Sequence, residues 1–124
     1  MQPSALTRKL LLKTGFRCRV INAPDGYLEQ LQPLPQGAQL DGGESLDFVQ
    51  LFARDASELD RFAPEAISSV KADGLLWVCY PKGGTKAGTD LNRDRLWQLM
   101  SGRGLTGVTL VAIDQTWSAM RFRR

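Results

Sequence analysis

Three short stretches of this chain hold the residue types and spacings that could do chemistry. The segment Lys82-Gly83-Gly84-Thr85-Lys86-Ala87-Gly88-Thr89-Asp90 combines three glycines, two lysines and two threonines ahead of a predicted helix. A helix start presents unsatisfied N–H groups and a positive dipole end, so such a loop can cradle a phosphate. The spacing departs from a Walker sequence, because Thr89-Asp90 follows Gly88 where Lys-Ser/Thr is required. Asp90 would also sit at the helix start and repel an anion. The competing reading is a mobile surface loop with an acidic cap, the most mobile internal segment of the chain. The second stretch is the turn Asn22-Ala23-Pro24-Asp25-Gly26, and the third is the Asp41-Gly42-Gly43 turn.

The residues that are missing narrow the chemistry further. There is no histidine, which removes the commonest general base near neutral pH and the commonest zinc ligand. Cys18 and Cys79 fall inside apolar strands, where cysteine packs as a small hydrophobe and is inert. The net charge of +3 is concentrated in the second half, around the 82–90 loop and at the Arg121, Arg123, Arg124 tail. That is a solvated surface rather than the dense basic stripe with exposed aromatics that nucleic-acid binders carry. The longest apolar runs are far short of the ~20 residues of a membrane span, and the amino-terminal leucines are interrupted by Arg8, Lys9 and Lys13. A cytoplasmic location is expected, with a small molecule or a protein as partner, nucleic acid disfavoured, no membrane and the oligomeric state open.

The elements that position these loops follow from periodicity and punctuation. At 124 residues with 43% hydrophobic and 23% charged composition, one domain over 1–124 is expected. Ser4 caps a first helix that Gly15 stops. Arg17 to Asn22 is a strand, and a short helix follows the 22–26 turn. A brief strand around 38–40 precedes the near-continuous apolar strand from Ser45 to Phe52. Asp55 with Glu58 three residues later opens a helix in capping-box fashion. Its apolar stripe, from Leu59 to Val70, is interrupted by Pro64, which predicts a kink or two abutting helices.

Leu75 to Tyr80 is a buried strand. Thr89 or Asp90 caps the next helix, which should bury Leu96, Trp97 and Met100. Val108 to Ile113 and Trp117 to Arg123 are joined by only Asp114-Gln115-Thr116, so they must be antiparallel neighbours. Met120 and Phe122 then face inward and Arg121 and Arg123 outward. Asp114 organises its own turn, and Trp117 covers the core's edge or faces a ligand or a partner.

Strands alternating with helices imply right-handed crossovers. The expected architecture is an α/β three-layer sandwich, with a mostly parallel sheet closed by an antiparallel C-terminal hairpin. Open sheets of this kind bind ligands beyond the strand carboxyl ends. There the sequence places Asn22, Asp25, Asp41, Lys82 and Lys86.

Two motifs carry a family resemblance. Trp77-Val78-Cys79-Tyr80-Pro81-Lys82 and Ile113-Asp114-Gln115-Thr116-Trp117-Ser118-Ala119-Met120-Arg121-Phe122 resemble a family of small bacterial proteins of unknown function. A second similarity runs from Leu12 to Gly26, which looks like the opening of ribosomal-RNA 2′-O-methyltransferases. Ala23, Pro24 and Gly26 match that family's first turn, whereas Asp25 and Tyr27 do not. This resemblance implies a reduced methyltransferase-like Rossmann fold, with Gly26 at the cofactor turn and Asp41 in reach of a ribose hydroxyl. It also implies a strand order in which the first strand lies between the short second strand and the Ser45 strand.

The methyltransferase signatures themselves are sparse. Ala53-Arg54 stands where such an enzyme offers Asp or Asn with prolines, and Lys82 matches one lysine of the 2′-O-methyltransferase set without its aspartate. The reading is therefore a non-catalytic Rossmann-like binding or interaction domain with no cofactor. The alternative is an S-adenosylmethionine- or nucleotide-binding enzyme, a methyltransferase that uses the same crevice.

Overall fold

In a computed structural model that describes residues 2–40 and 43–124, five strands form one sheet in the order β1-β2-β3-β5-β4. β1 (Cys18–Ile21), β2 (Leu46–Phe52) and β3 (Val70–Pro81) are parallel. β5 (Trp117–Arg123) runs antiparallel to β3, and β4 (Thr106–Ala112) pairs antiparallel on its far side. The order expected from the resemblance holds, with one reduction. The short second strand is a single parallel bridge, Arg17 to Gln39, on the outer edge of β1.

Alternation along the strands sends side chains into two cores. Val49, Leu51, Leu76, Val78, Met120 and Phe122 face one side, where α3 (Ala56–Ser69) and α4 (Arg93–Ser101) cover them with Leu59, Ala63, Leu96 and Met100. Cys18, Phe48, Phe52, Trp77, Cys79 and Ala119 face the other side. Leu10, which ends α1 (Ala5–Lys9), and Tyr27 and Leu31 of α2 (Tyr27–Leu31) cover them there. A bulge between Leu46 and Phe48 lets two residues of like parity face opposite cores. Helices on both faces of one sheet make the three layers.

Local chemistry sets the element ends. The Ser4 hydroxyl accepts from the Thr7 N–H at 3.1 Å, as its N-cap position requires. The helix it starts ends at Lys9, well before Gly15, because Leu11 turns left-handed (φ 64°) and the Trp77 indole takes the Leu10 carbonyl at 2.9 Å. Asp55 accepts from the Glu58 N–H at 2.9 Å and opens α3. That helix passes through Pro64 as one element and stops at Val70, which starts β3 instead of extending the apolar stripe. Cys18 and Cys79 are free and buried, and β2 lies between their strands.

Two side chains depart from expectation. Trp97, expected in the core, is 44% exposed on α4, and Val108 and Leu110 of the outermost strand are 42% and 44% exposed. They lack cover because β4 has only one strand neighbour. Arg121, expected to face outward, shares the face of Trp117 and Ala119, and its Nε is buried without a hydrogen-bond partner. No helix is long and apolar enough to cross a membrane among the described residues.

Candidate functional site

β2 and β3 are parallel, so the segments leaving them emerge at the same edge of the sheet. The Ala53 N–H donates to the Cys79 carbonyl at 3.0 Å and the Lys82 N–H to the Thr116 carbonyl at 2.8 Å. These bonds carry the ladder one step past the strands and bring Arg54, Lys82 and the 114–116 turn together. Between them lies a cleft of about 580 Å³, whose lining includes Arg54, Pro81, Lys82, Gly88, Thr116 and Trp117. On the other side of Pro81-Lys82, toward α4, a second cleft of about 460 Å³ is lined by Tyr80, Thr85, Asn92, Arg93 and Ser118 among others. Lys82 borders both.

The floor of the first cleft is aromatic. Trp117 is 8% exposed and meets the Phe52 ring edge-on at 5.0 Å, and Phe52 meets Tyr27 at 4.6 Å. The stack fills the space between the first turn and the hairpin. Below it the Tyr27 hydroxyl donates to Gln50 Oε1 at 2.9 Å, and Gln50 Nε2 donates to Cys79 Sγ at 3.2 Å. This polar string satisfies groups that would be costly to bury alone. Burial raises the Tyr27 hydroxyl well above the ordinary tyrosine range and pushes the Cys79 thiol up to about 12. Neither is a nucleophile at neutral pH.

The loop between β3 and α4 is fastened at its far end by Thr89 and Asp90. A 3₁₀ turn spans Gly84–Ala87, entered through Gly83 and Gly84 at φ of 96° and 51°, a conformation that glycine adopts without strain. The buried Thr89 hydroxyl donates to the Arg54 carbonyl and accepts from the Leu91 N–H. Asp90 accepts from the Ala56 N–H at 2.8 Å. Neither caps α4, as the sequence pattern suggested. Asn92 does, accepting from Arg95 N–H at 2.8 Å, while Thr89 and Asp90 fasten the loop to the start of α3.

Other carboxylates at this edge are also held by backbone groups. Glu58 accepts from Arg54 N–H at 2.8 Å and from the Asn22 amide at 3.1 Å. Asp114 accepts from Thr116 and Trp117 N–H at 2.8 and 2.9 Å, so it does organise its own turn. One oxygen of each of these carboxylates is thus turned to the backbone. No group of three His, Cys, Asp or Glu residues could hold a metal among the described residues.

The sequence-selected residues are dispersed by this geometry. Asn22 is left-handed (φ 61°), and its amide donates to the Phe52 carbonyl at 2.8 Å as well as to Glu58. It thus ties the end of β1 to the end of β2. Asp25 and Gly26 are exposed on the turn that enters α2 and line neither cleft. Lys86 is exposed on the 3₁₀ turn and lines neither. Asp41 lies outside the described residues. Among the described ones, only Lys82 borders the clefts, joined by Arg54, which sequence reasoning passed over. Its signal was positional: it is the second residue after an apolar strand that ends at the ligand edge.

Among solved structures, the chain resembles a protein in the NADB-Rossmann superfamily from Streptococcus agalactiae, with a TM-score of 0.54 and 11% identity over 100% of this chain and 69% of that one. It resembles the B. subtilis M1A22 tRNA methyltransferase TrmK equally, with a TM-score of 0.54 and 7% identity over 99% of this chain and 66% of that one. The chain has a methyltransferase-like Rossmann fold. It spans about two thirds of the length of these neighbours, and at such identities the likeness concerns the fold alone. No family model and no curated relative matches the sequence.

Within this Rossmann-like fold, the first turn and the two clefts occupy the carboxyl edge of the parallel strands, where open α/β sheets take their ligands. The Tyr80 hydroxyl lies in the second cleft beside Ser118 and Arg93. Its pKa is raised by burial, against the opposing pull of Arg93 and of its hydrogen bond with Ser118.

Proposed function

We propose that this chain is a non-catalytic, Rossmann-like binding domain, whose cleft between Arg54, Lys82 and Trp117 takes a small anionic ligand. The observation that carries this reading is the division of labour at the carboxyl edge. Asp55, Glu58, Asp90 and Asp114 hold backbone N–H groups, while the cations Arg54 and Lys82 stay exposed around the cleft. Two exposed cations on one cleft can pair with an anion between them, and the chain has no histidine to move a proton. The aromatic wall of Trp117 suits a planar group, so a nucleotide-like molecule is the ligand class.

The alternative, an S-adenosylmethionine-dependent methyltransferase, draws on the fold and on the crevice at its carboxyl edge. Against it stand the committed Asn22 amide and the packed Tyr27–Phe52–Trp117 stack.

A thermal-shift titration with AMP, ATP, inorganic phosphate and S-adenosylmethionine separates the two. A site filled at 100 times its dissociation constant stabilises by ~2.7 kcal/mol, or about 10 °C for a domain of this size. The binding reading expects the nucleotides to shift the transition, the double variant Arg54→Ala, Lys82→Ala to abolish that shift, and Lys86→Ala to keep it. Stabilisation by S-adenosylmethionine alone, unaffected by the double variant, would favour the methyltransferase.

A further inference from the structure

The cleft on the α4 side of Pro81-Lys82 lies outside the seat between Arg54, Lys82 and Trp117, although Lys82 borders both. Its walls are fixed by the backbone. The Lys82 N–H donates to the Thr116 carbonyl at 2.8 Å, so Pro81 and Lys82 stand as a ridge with one cleft on each side. Across the second cleft the 3₁₀ turn leans on the cap of α4: a Cβ built at Gly84 would lie 3.9 Å from Asn92 Cβ. Tyr80 and Ser118, cross-strand partners on β3 and β5, line it from the sheet.

Donors dominate this lining. Lys82 and Arg93 are exposed cations on the cleft, and no carboxylate lines it among the described residues. Arg93 Nε meets Asp94 at 3.4 Å with both side chains well exposed, a kind of contact that contributes little. It leaves the two N–H₂ groups of the guanidinium to bind elsewhere. At the Tyr80 hydroxyl the pull of Arg93 exceeds the opposing influence of Asp94, so the cation of that pair sets the sign inside the cleft. The Asn92 carboxamide oxygen accepts from the Arg95 N–H at 2.8 Å, which leaves its N–H₂ as a donor. The Tyr80 and Ser118 hydroxyls bond to each other; that uses one O–H and leaves the second.

We propose that this second cleft takes the terminal phosphate of the ligand, which makes the domain selective for a nucleoside diphosphate over the monophosphate. The inference rests on the reading of the first cleft as the nucleotide's seat. Lys82 is the link. From the ridge its ammonium can stand between two phosphates, one beside Arg54 and one beside Arg93. A phosphate carries acceptor oxygens on several sides and binds best where charged donors converge on it. Arg93 and Asn92 supply donors from α4 and its cap, and the Tyr80–Ser118 pair supplies one from the sheet. A monophosphate would occupy the first cleft and leave those donors to water.

The test is isothermal titration calorimetry of the full chain with AMP, ADP and pyrophosphate, in EDTA so that no divalent cation neutralises the phosphates. Wild type should bind ADP ~10-fold more tightly than AMP, as charge-assisted hydrogen bonds to one more phosphate would give. Arg93→Gln should bring that ratio close to unity, and Arg93→Glu should invert it, with far-UV circular dichroism unchanged in both. Arg54→Ala should weaken both nucleotides and keep the ratio. A wild type that binds AMP and ADP equally, with Arg54→Ala weakening both, overturns the second site and leaves the first in place. A ratio that survives in Arg93→Gln overturns it too, as does pyrophosphate binding as tightly as ADP, since the nucleoside would then contribute nothing. If neither nucleotide binds at ~1 mM, the reading of the first cleft fails and this inference falls with it.

Discussion

Asp90 acts as an internal anion, and removing it tests both the fold and the cleft. Its carboxylate accepts from the Ala56 N–H at 2.8 Å, one of the orphan donors in the first turn of α3. Replacing it by alanine removes that acceptor and the favourable meeting of a negative charge with the helix dipole. The side chain is exposed, so the loss belongs with capping losses of about 1 kcal/mol. Spread over the unfolding entropy of a domain this size, 1 kcal/mol lowers the melting temperature by about 4 °C. Asp90→Asn keeps an acceptor and gives up the charge, so it should fall between the two, and added salt should narrow its difference from wild type. The opened N–H lies one residue beyond Asp55 and two beyond Arg54. Inorganic phosphate should accordingly raise the melting temperature of Asp90→Ala more than that of wild type, while the Ala56 amide loses exchange protection. A melting temperature within about 1 °C of wild type, with the Ala56 amide still protected, would refute the reasoning.

Two further outcomes test the amino-terminal edge of the sheet, opposite the cleft. Gly74→Ala should destabilise by about 1–3 kcal/mol in chemical unfolding, because its Cβ would meet Val70 Cγ2 at 2.8 Å and the Leu46 carbonyl oxygen at 2.9 Å, and backbone cannot swing aside; a neutral result would show that β3 slides freely past β2. Asp47 accepts from the Arg17 N–H at 2.8 Å and pairs with Lys71 at 2.7 Å, and these, the backbone bond first, hold its carboxyl below the usual range. A depressed carboxyl contributes stability that is present above its unfolded pKa and is lost as pH falls through the folded value, so unfolding midpoints should drop below pH ~4 more steeply in wild type than in Asp47→Asn; parallel curves would remove Asp47 from the acid response.

The architecture was legible because each element carried its own local signal. The Asp55–Glu58 spacing marked the start of α3, and the three residues between Ile113 and Trp117 could only join antiparallel neighbours. Buried runs such as 75–80 were correctly placed in the middle of the sheet. β4 carries a similar apolar run, yet most of its side chains are exposed. Burial there depends on whether a neighbour exists, and sheet order is a property of the whole chain. Trp97 was misplaced for the same reason: it covers an edge glycine, Gly107, and no further strand among the described residues covers it.

The site was far less legible, and the reason is competition for polar groups. Sequence position placed Asn22, Asp25 and Lys86 near the ligand edge, but it could not tell that Asp25 and Lys86 would stand exposed outside both clefts, nor that the Asn22 amide was already committed. Asn22 was the plainest case. An asparagine at the end of a first strand is well placed to meet a ligand, yet the left-handed turn at Asn22 aims its amide at the Phe52 carbonyl and Glu58. A side chain with two N–H donors and two committed partners has none left to offer. Asp90 reverses the logic: it was read as a residue that would repel an anion from the next helix, whereas it neutralises the one before. The cations Arg54 and Lys82 stand exposed on the cleft, with side chains free to meet a ligand, whereas the carboxylates around them are turned to backbone N–H groups. That pair of cations, rather than any single motif, is the reason to look for an anionic ligand there.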